Sequence, residues 1–143
     1  NRWGWFITPT LAELQSPGTV GGTLYVGAGN NDISNSRNVG TWTATADAQG
    51  GVTVTYNMAS PYYLDEVHVE LRCLPFPTPN SCAPGQWTHV ADDLDHLTTY
   101  SNPNPIPYPT CNGNVALVLH ASVGYFATGN TCTLPPAGGS APP

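Results

Sequence analysis

Lysine is missing from this sequence altogether, and Arg2, Arg37 and Arg72 are its three cations. Charged residues make up 8% of the 143, against roughly 25% in ordinary soluble domains. Nine carboxylates set against three arginines leave a formal net charge of −6. A chain so poor in cations has no face for holding phosphates, which excludes a nucleic-acid role and argues against an anionic membrane surface. Long hydrophobic runs are also absent. No window reaches the ~18 apolar residues of a spanning helix, so membrane insertion is not expected. The common signatures of catalysis are missing as well: there is no G-x-G-x-x-G, P-loop, G-x-S-x-G or H-E-x-x-H. The adjacent carboxylates Asp65 and Glu66 point to opposite faces of an extended chain, which is wrong for shared acid/base work. The expectation is a protein that is not an enzyme and uses no cofactor.

What is present reads as β structure. Hydrophobic residues reach 40%, and β-branched and aromatic side chains alternate with polar ones in short runs punctuated by 15 glycines and 15 prolines. Strands are expected at Trp3–Ile7, Thr23–Gly27, Leu64–Cys73 and Asn114–Phe126, the last so densely apolar that it belongs inside a sheet. Val39–Asp47 and Gly51–Met58 form a hairpin across Ala48-Gln49-Gly50, with Gly50 free to take positive φ. Thr10–Gln15 allows one helical turn. Strands recurring about every ten residues with no βαβ alternation predict an antiparallel β-sandwich, immunoglobulin-like or jelly-roll-like, as one domain over residues 1–133. Asn102–Pro109 has proline at every second position, which forbids a central strand and favours polyproline II. Residues 134–143 (LPPAGGSAPP) read as a Pro/Gly-rich tail or linker, and the terminal APP suggests a chain that continues beyond Pro143. The chain opens on Asn1 with neither Met nor signal peptide, as a processed or partial mature form would.

Four cysteines, an even number, predict disulfides and an oxidising compartment. Cys73 and Cys82 bracket LPFPTPNS, and Cys111 and Cys132 bracket the last apolar run. Of three possible connectivities the local one, Cys73 with Cys82 and Cys111 with Cys132, is preferred as a clamp on poorly hydrogen-bonded loops. Without a C-x₂-C pair a zinc site is disfavoured.

The succession RWGW, LYVGAGNNDIS, VGT with VTVTYNM, YLDEVHVEL, APGQWTHV and VALVLHASV, from Arg2 to Val123, resembles a secreted β-sandwich domain of large extracellular and cell-surface proteins. That resemblance implies a recurring module of surfaces and matrices, with no activity attached. The second cysteine pair and the proline runs depart from its pattern and are more at home in hydroxyproline-rich extracellular proteins of algae.

Several residue groups are candidate sites. His68 and His120, with Glu66 and Glu70 beside the first, could form a histidine–carboxylate cluster, but single histidines are commonly structural, and no metal is assigned. Asn30-Asn31-Asp32 and Asp92-Asp93-Leu94-Asp95 are oxygen-rich and leave Ca²⁺ open, although turn chemistry explains them too. Trp3, Trp5, Trp42, Trp87, Tyr62 and Tyr63 could stack on sugars if exposed, with core packing favoured for each. No N-x-[ST] sequon occurs, so the candidate glycan positions are Pro103, Pro105, Pro107, Pro109, Pro135 and Pro136 on proline-rich stretches. Trp3, Trp5 and Ile7 lie on one face of a candidate assembly strand. Together these readings predict a secreted structural protein of a filament, sheath or matrix, with copies of itself and glycans as partners. The alternative is a carbohydrate-binding or adhesive module, Ca²⁺-dependent or not.

Overall fold

The computed structural model describes residues 6–28, 32–76 and 84–127. They form two antiparallel sheets that share one core. The first sheet has the order β1-β9-β5-β6, from β1 (Phe6–Ile7), β9 (Val115–Tyr125), β5 (Tyr62–Cys73) and β6 (His89–Ala91). The second runs β2-β3-β4-β7, from β2 (Gly21–Val26), β3 (Arg37–Ala46), β4 (Gly51–Met58) and β7 (Thr99–Ser101), with the two-residue β8 (Ile106–Pro107) also on β4. Ala44, Val52, Val54 and Tyr56 of the second sheet meet Leu64, Val67, Val69, Leu71, Val115 and Leu117 of the first in one apolar cluster. Burying a side chain of this size contributes about 1.5–3 kcal/mol.

The expected hairpin forms as β3 and β4, paired from Gly40↔Met58 to Ala46↔Val52. Its turn is held by the Asp47 carboxylate, whose Oδ1 accepts the N–H groups of Gln49 at 2.9 Å and Gly51 at 2.7 Å, while Gly50 takes φ +82°. The single helical turn, α1 (Leu11–Leu14), opens with Thr10 and Glu13 capping each other's backbone N–H, and it drives Leu14 into the core.

Strand β8 falls inside the proline-rich stretch expected to be polyproline II. Two residues of ladder are possible there because they lie at the sheet's edge, where alternate N–H groups are dispensable. Asn102 fills the interval between β7 and β8: its Oδ1 accepts the Val54 N–H at 2.7 Å, and its Nδ2 donates to the carbonyls of Val52 at 3.2 Å and Asn104 at 2.8 Å.

The preferred cysteine pairing is overturned. Cys73 bonds to Cys111, 38 positions further along the chain and with the Cα atoms 5.6 Å apart, rather than to Cys82. The β5–β9 ladder brings Cys73 opposite Val115, so the chain approaching β9 carries Cys111 up to the end of β5. A loop of that length restricts the unfolded chain by about 4 kcal/mol in the chain-entropy account, more than a nine-residue loop would. Cys82 and Cys132 lie outside the described residues, as do Trp3, Trp5, Asn30, Asn31, Pro135, Pro136 and the tail.

Candidate functional site

Strict alternation along β5 would put Leu64 on the same face as Glu66 and His68. A register shift between Leu64 and Glu66 breaks that alternation, and Leu64 joins Val67 and Val69 in the core. Asp65, left out of the ladder by the shift, uses its carbonyl to accept the Leu94 N–H at 3.0 Å, and Leu64 N–H donates to Leu97 O at 2.7 Å. These two bonds seat the acidic loop 92–97 against the start of β5. Within that loop Asp93, Asp95 and His96 all have positive φ, a region Asp and His enter more readily than most residues.

Glu66, His68, Glu70 and Arg72 share the outward face of β5. On this polar face His68 and Glu70 are nevertheless buried. Trp87 and Thr88, the two residues after the 3-10 turn Pro84–Gln86, lie against them. The Trp87 ring stands edge-on to His68 and His120, at centroid distances of 6.2 and 6.4 Å. Thr88 donates its N–H and hydroxyl to the two oxygens of Glu70, at 3.1 and 2.7 Å, and Arg72 Nη2 adds a third contact at 3.3 Å. Glu70 is thus a buried carboxylate with its charge answered, a structural tie between β5 and the covering loop. Trp87 Nε1 is buried with no acceptor among the described residues.

His68 is engaged at both ring nitrogens. Nε2 lies 2.7 Å from Glu66 Oε1. Nδ1 lies 3.1 Å from Nδ1 of His120, directly across the ladder, with the two rings stacked at 5.3 Å. Two lone pairs cannot face each other, so one Nδ1 carries the proton that the other accepts. Burial, and next the neighbouring His68, hold His120 below the ordinary histidine range. The carboxylate of Asp92, one residue past β6, completes the group: one ligand atom from each of Glu66, His68 and Asp92 lies within 4.8 Å of the others. On the inner face, His89 Nε2 contacts Tyr100 Oη at 2.9 Å across the two sheets.

The structure therefore joins two candidates that were separate in the sequence, the His68 strand and the acidic loop. Glu70 is drawn instead to Thr88 and Arg72. Asp32 caps its own turn through a 2.8 Å bond from the Ser34 N–H. Trp42 packs on the core, Tyr62 Oη accepts from Arg37 at 3.4 Å, and Tyr63 lies edge-on to His96 and tilted against Phe126, with ring centroids 4.2 and 4.7 Å away. Pro103, Pro105 and Pro107 are exposed and Pro109 is half-buried. Thr88 and the joining of Asp92 to His68 were missed. Both depend on chain reversals around β6 that have no local signature. No protein-family model, curated protein or solved structure matches the chain.

Proposed function

We infer that the chain is a non-catalytic extracellular structural module, a disulfide-clamped β-sandwich that joins copies of itself into a filament, sheath or matrix by strand addition. The observation carrying this reading is the edge of β9. All eleven residues of β9 pair with β5, but only Leu117 and Val118 pair on the other side, with Ile7 and Phe6. Among the described residues, Leu119–Tyr125 thus present an open row of backbone donors and acceptors, which is a template for another chain. The occupant proposed is the N-terminal strand of a second copy. By exchange, a neighbour's residues 1–7 would take the place of this chain's own along β9, in the antiparallel register of Phe6↔Val118 and Ile7↔Leu117. Phe6 and Ile7 are exposed apolar residues in that strand.

The disulfide is compatible with an oxidising compartment, and among the described residues no helix is long and apolar enough to cross a membrane. Exposed Pro103, Pro105 and Pro107 suit hydroxylation and glycan attachment, and the resemblance to secreted surface modules points the same way. Sedimentation across a concentration series tests the reading. The expected result is concentration-dependent assembly that disappears on deleting residues 1–8. A monomer at every concentration, unaltered by the deletion, ends it.

A second reading, a carbohydrate-binding or adhesive module, is favoured by the cluster of Tyr63, His96 and exposed Phe126 beside Asp65, whose Oδ1 is 3.7 Å from His96 Nε2. Flat calorimetric titrations with plant and algal polysaccharides, with and without EDTA, would remove it.

A further inference from the structure

We propose that Glu66, His68 and Asp92 bind one divalent transition-metal ion of zinc-like chemistry on the outward face of β5, with His120 as a positioning residue. The strand pairing makes the convergence. Glu66 and His68 are two apart and share a face, while Ala91 pairs with Val67 and delivers the next residue, Asp92, beside them. The ligand atoms already lie within 4.8 Å of one another. Around a tetrahedral zinc with bonds of about 2.0–2.2 Å they would stand roughly 3.4 Å apart. The remaining movement falls on the carboxylates, since Asp92 is exposed and the Glu66 side chain keeps 39% of its surface, whereas that of His68 keeps 4%. One ligand is fixed and two can close on it.

Charge points the same way. Two carboxylates lie close to one imidazole, Glu66 Oε1 2.7 Å from His68 Nε2 and an Asp92 oxygen within 4.8 Å of the ligand atoms of both. The described arginines are engaged elsewhere, Arg72 by Glu70 and Arg37 by Tyr62. In a chain without lysine, a divalent cation is what balances this pair. Ligand type then selects the ion: Ca²⁺ and Mg²⁺ take all-oxygen shells, whereas an imidazole with two carboxylates suits zinc and its first-row neighbours.

A metal at His68 Nε2 also fixes the rest of the network. Nδ1 must then carry the ring proton, and at 3.1 Å it donates to Nδ1 of His120, the partner that orients a metal-bound imidazole. The stacked rings and the edge-on Trp87 hold the imidazole in place. In the same ring cluster, Trp87 Nε1 is a buried donor with no acceptor among the described residues. The ion takes the place of the Nε2 proton, the ring then carries its single proton at Nδ1 with His120 accepting it, and no oxidation state changes.

The test titrates zinc chloride into the full chain after EDTA treatment and removal of the chelator, read by calorimetry and by the imidazole ¹⁵N resonances. Expected are about one equivalent of zinc, a shift centred on His68 Nε2, and a loss of at least about tenfold in affinity in Asp92→Asn and in Glu66→Gln. His120→Gln should weaken binding about 10–100-fold at unchanged stoichiometry. Because Asp92 is exposed, Asp92→Asn should keep the circular dichroism spectrum and melting temperature of the parent, separating lost ligation from lost fold. No zinc binding, zinc binding indifferent to both carboxylate variants, or calcium binding as tightly as zinc would each overturn the assignment.

Discussion

Along β5 the inward residues Leu64, Val67, Val69 and Leu71 and the outward pair His68 and Glu70 are equally hidden, none more than 5% exposed, yet opposite chemistry hides them. The inner face is closed by another sheet and gains from area removed from water, a term indifferent to direction. The outer face is closed by a loop, and each buried nitrogen or oxygen of His68 and Glu70 meets a named partner within 3.3 Å. Equal burial therefore carries unequal tolerance. The inner face accepts side chains of similar volume, whereas the outer face accepts only those that reproduce its bonds.

The largest effect that sharpens this contrast is Leu64→Ala, expected to cost about 2–5 kcal/mol in chemical denaturation through the cavity left behind. Glu70→Ala follows at about 1–3 kcal/mol, because the Thr88 donors and Arg72 lose their acceptor; its signature is faster proteolysis of the covering loop, which Leu64→Ala lacks at equal global stability. A Glu70→Ala variant as stable as the parent would break the comparison. The smallest effect concerns pH. Burial, and secondarily the neighbouring His68, keep His89 below its ordinary value of 6.5. The unfolded chain therefore takes up this proton first as pH falls. The contribution of His89 is complete above that value and is lost as pH drops toward the folded-state pKa. Melting temperatures measured from about pH 7.5 to 5 should fall less steeply in His89→Gln than in the parent. Identical slopes would show that the inner face does not depend on a neutral imidazole.

Period-two alternation made much of the architecture legible. The β3–β4 hairpin, the long β5 and the buried β9 follow from which residues are β-branched and where Gly50 interrupts them. Alternation identifies which residues share a face, but not what covers that face. Trp87 and Thr88 reach the outward side of β5 from a loop about twenty residues later, so nothing within the strand itself foretells the burial of His68 and Glu70. The shift between Leu64 and Glu66 is likewise unmarked within the strand, where strict alternation would set Leu64 on the wrong face. Cysteine spacing misled for a related reason. Short separations favour local loops, whereas strand pairing between β5 and β9 brings distant segments together at no cost visible in the sequence.

Asn102 has a consequence for what the chain can carry. Its side chain bonds to both Val52 and Val54, which fixes the end of β7 against β4, and to the Asn104 carbonyl, which ties the Pro103–Pro105 stretch back to the same point. Bulky groups attached to its exposed prolines would load the surface while all three bonds hold, whereas residues inserted between Asn102 and Asn104 would cost the Asn104 bond first.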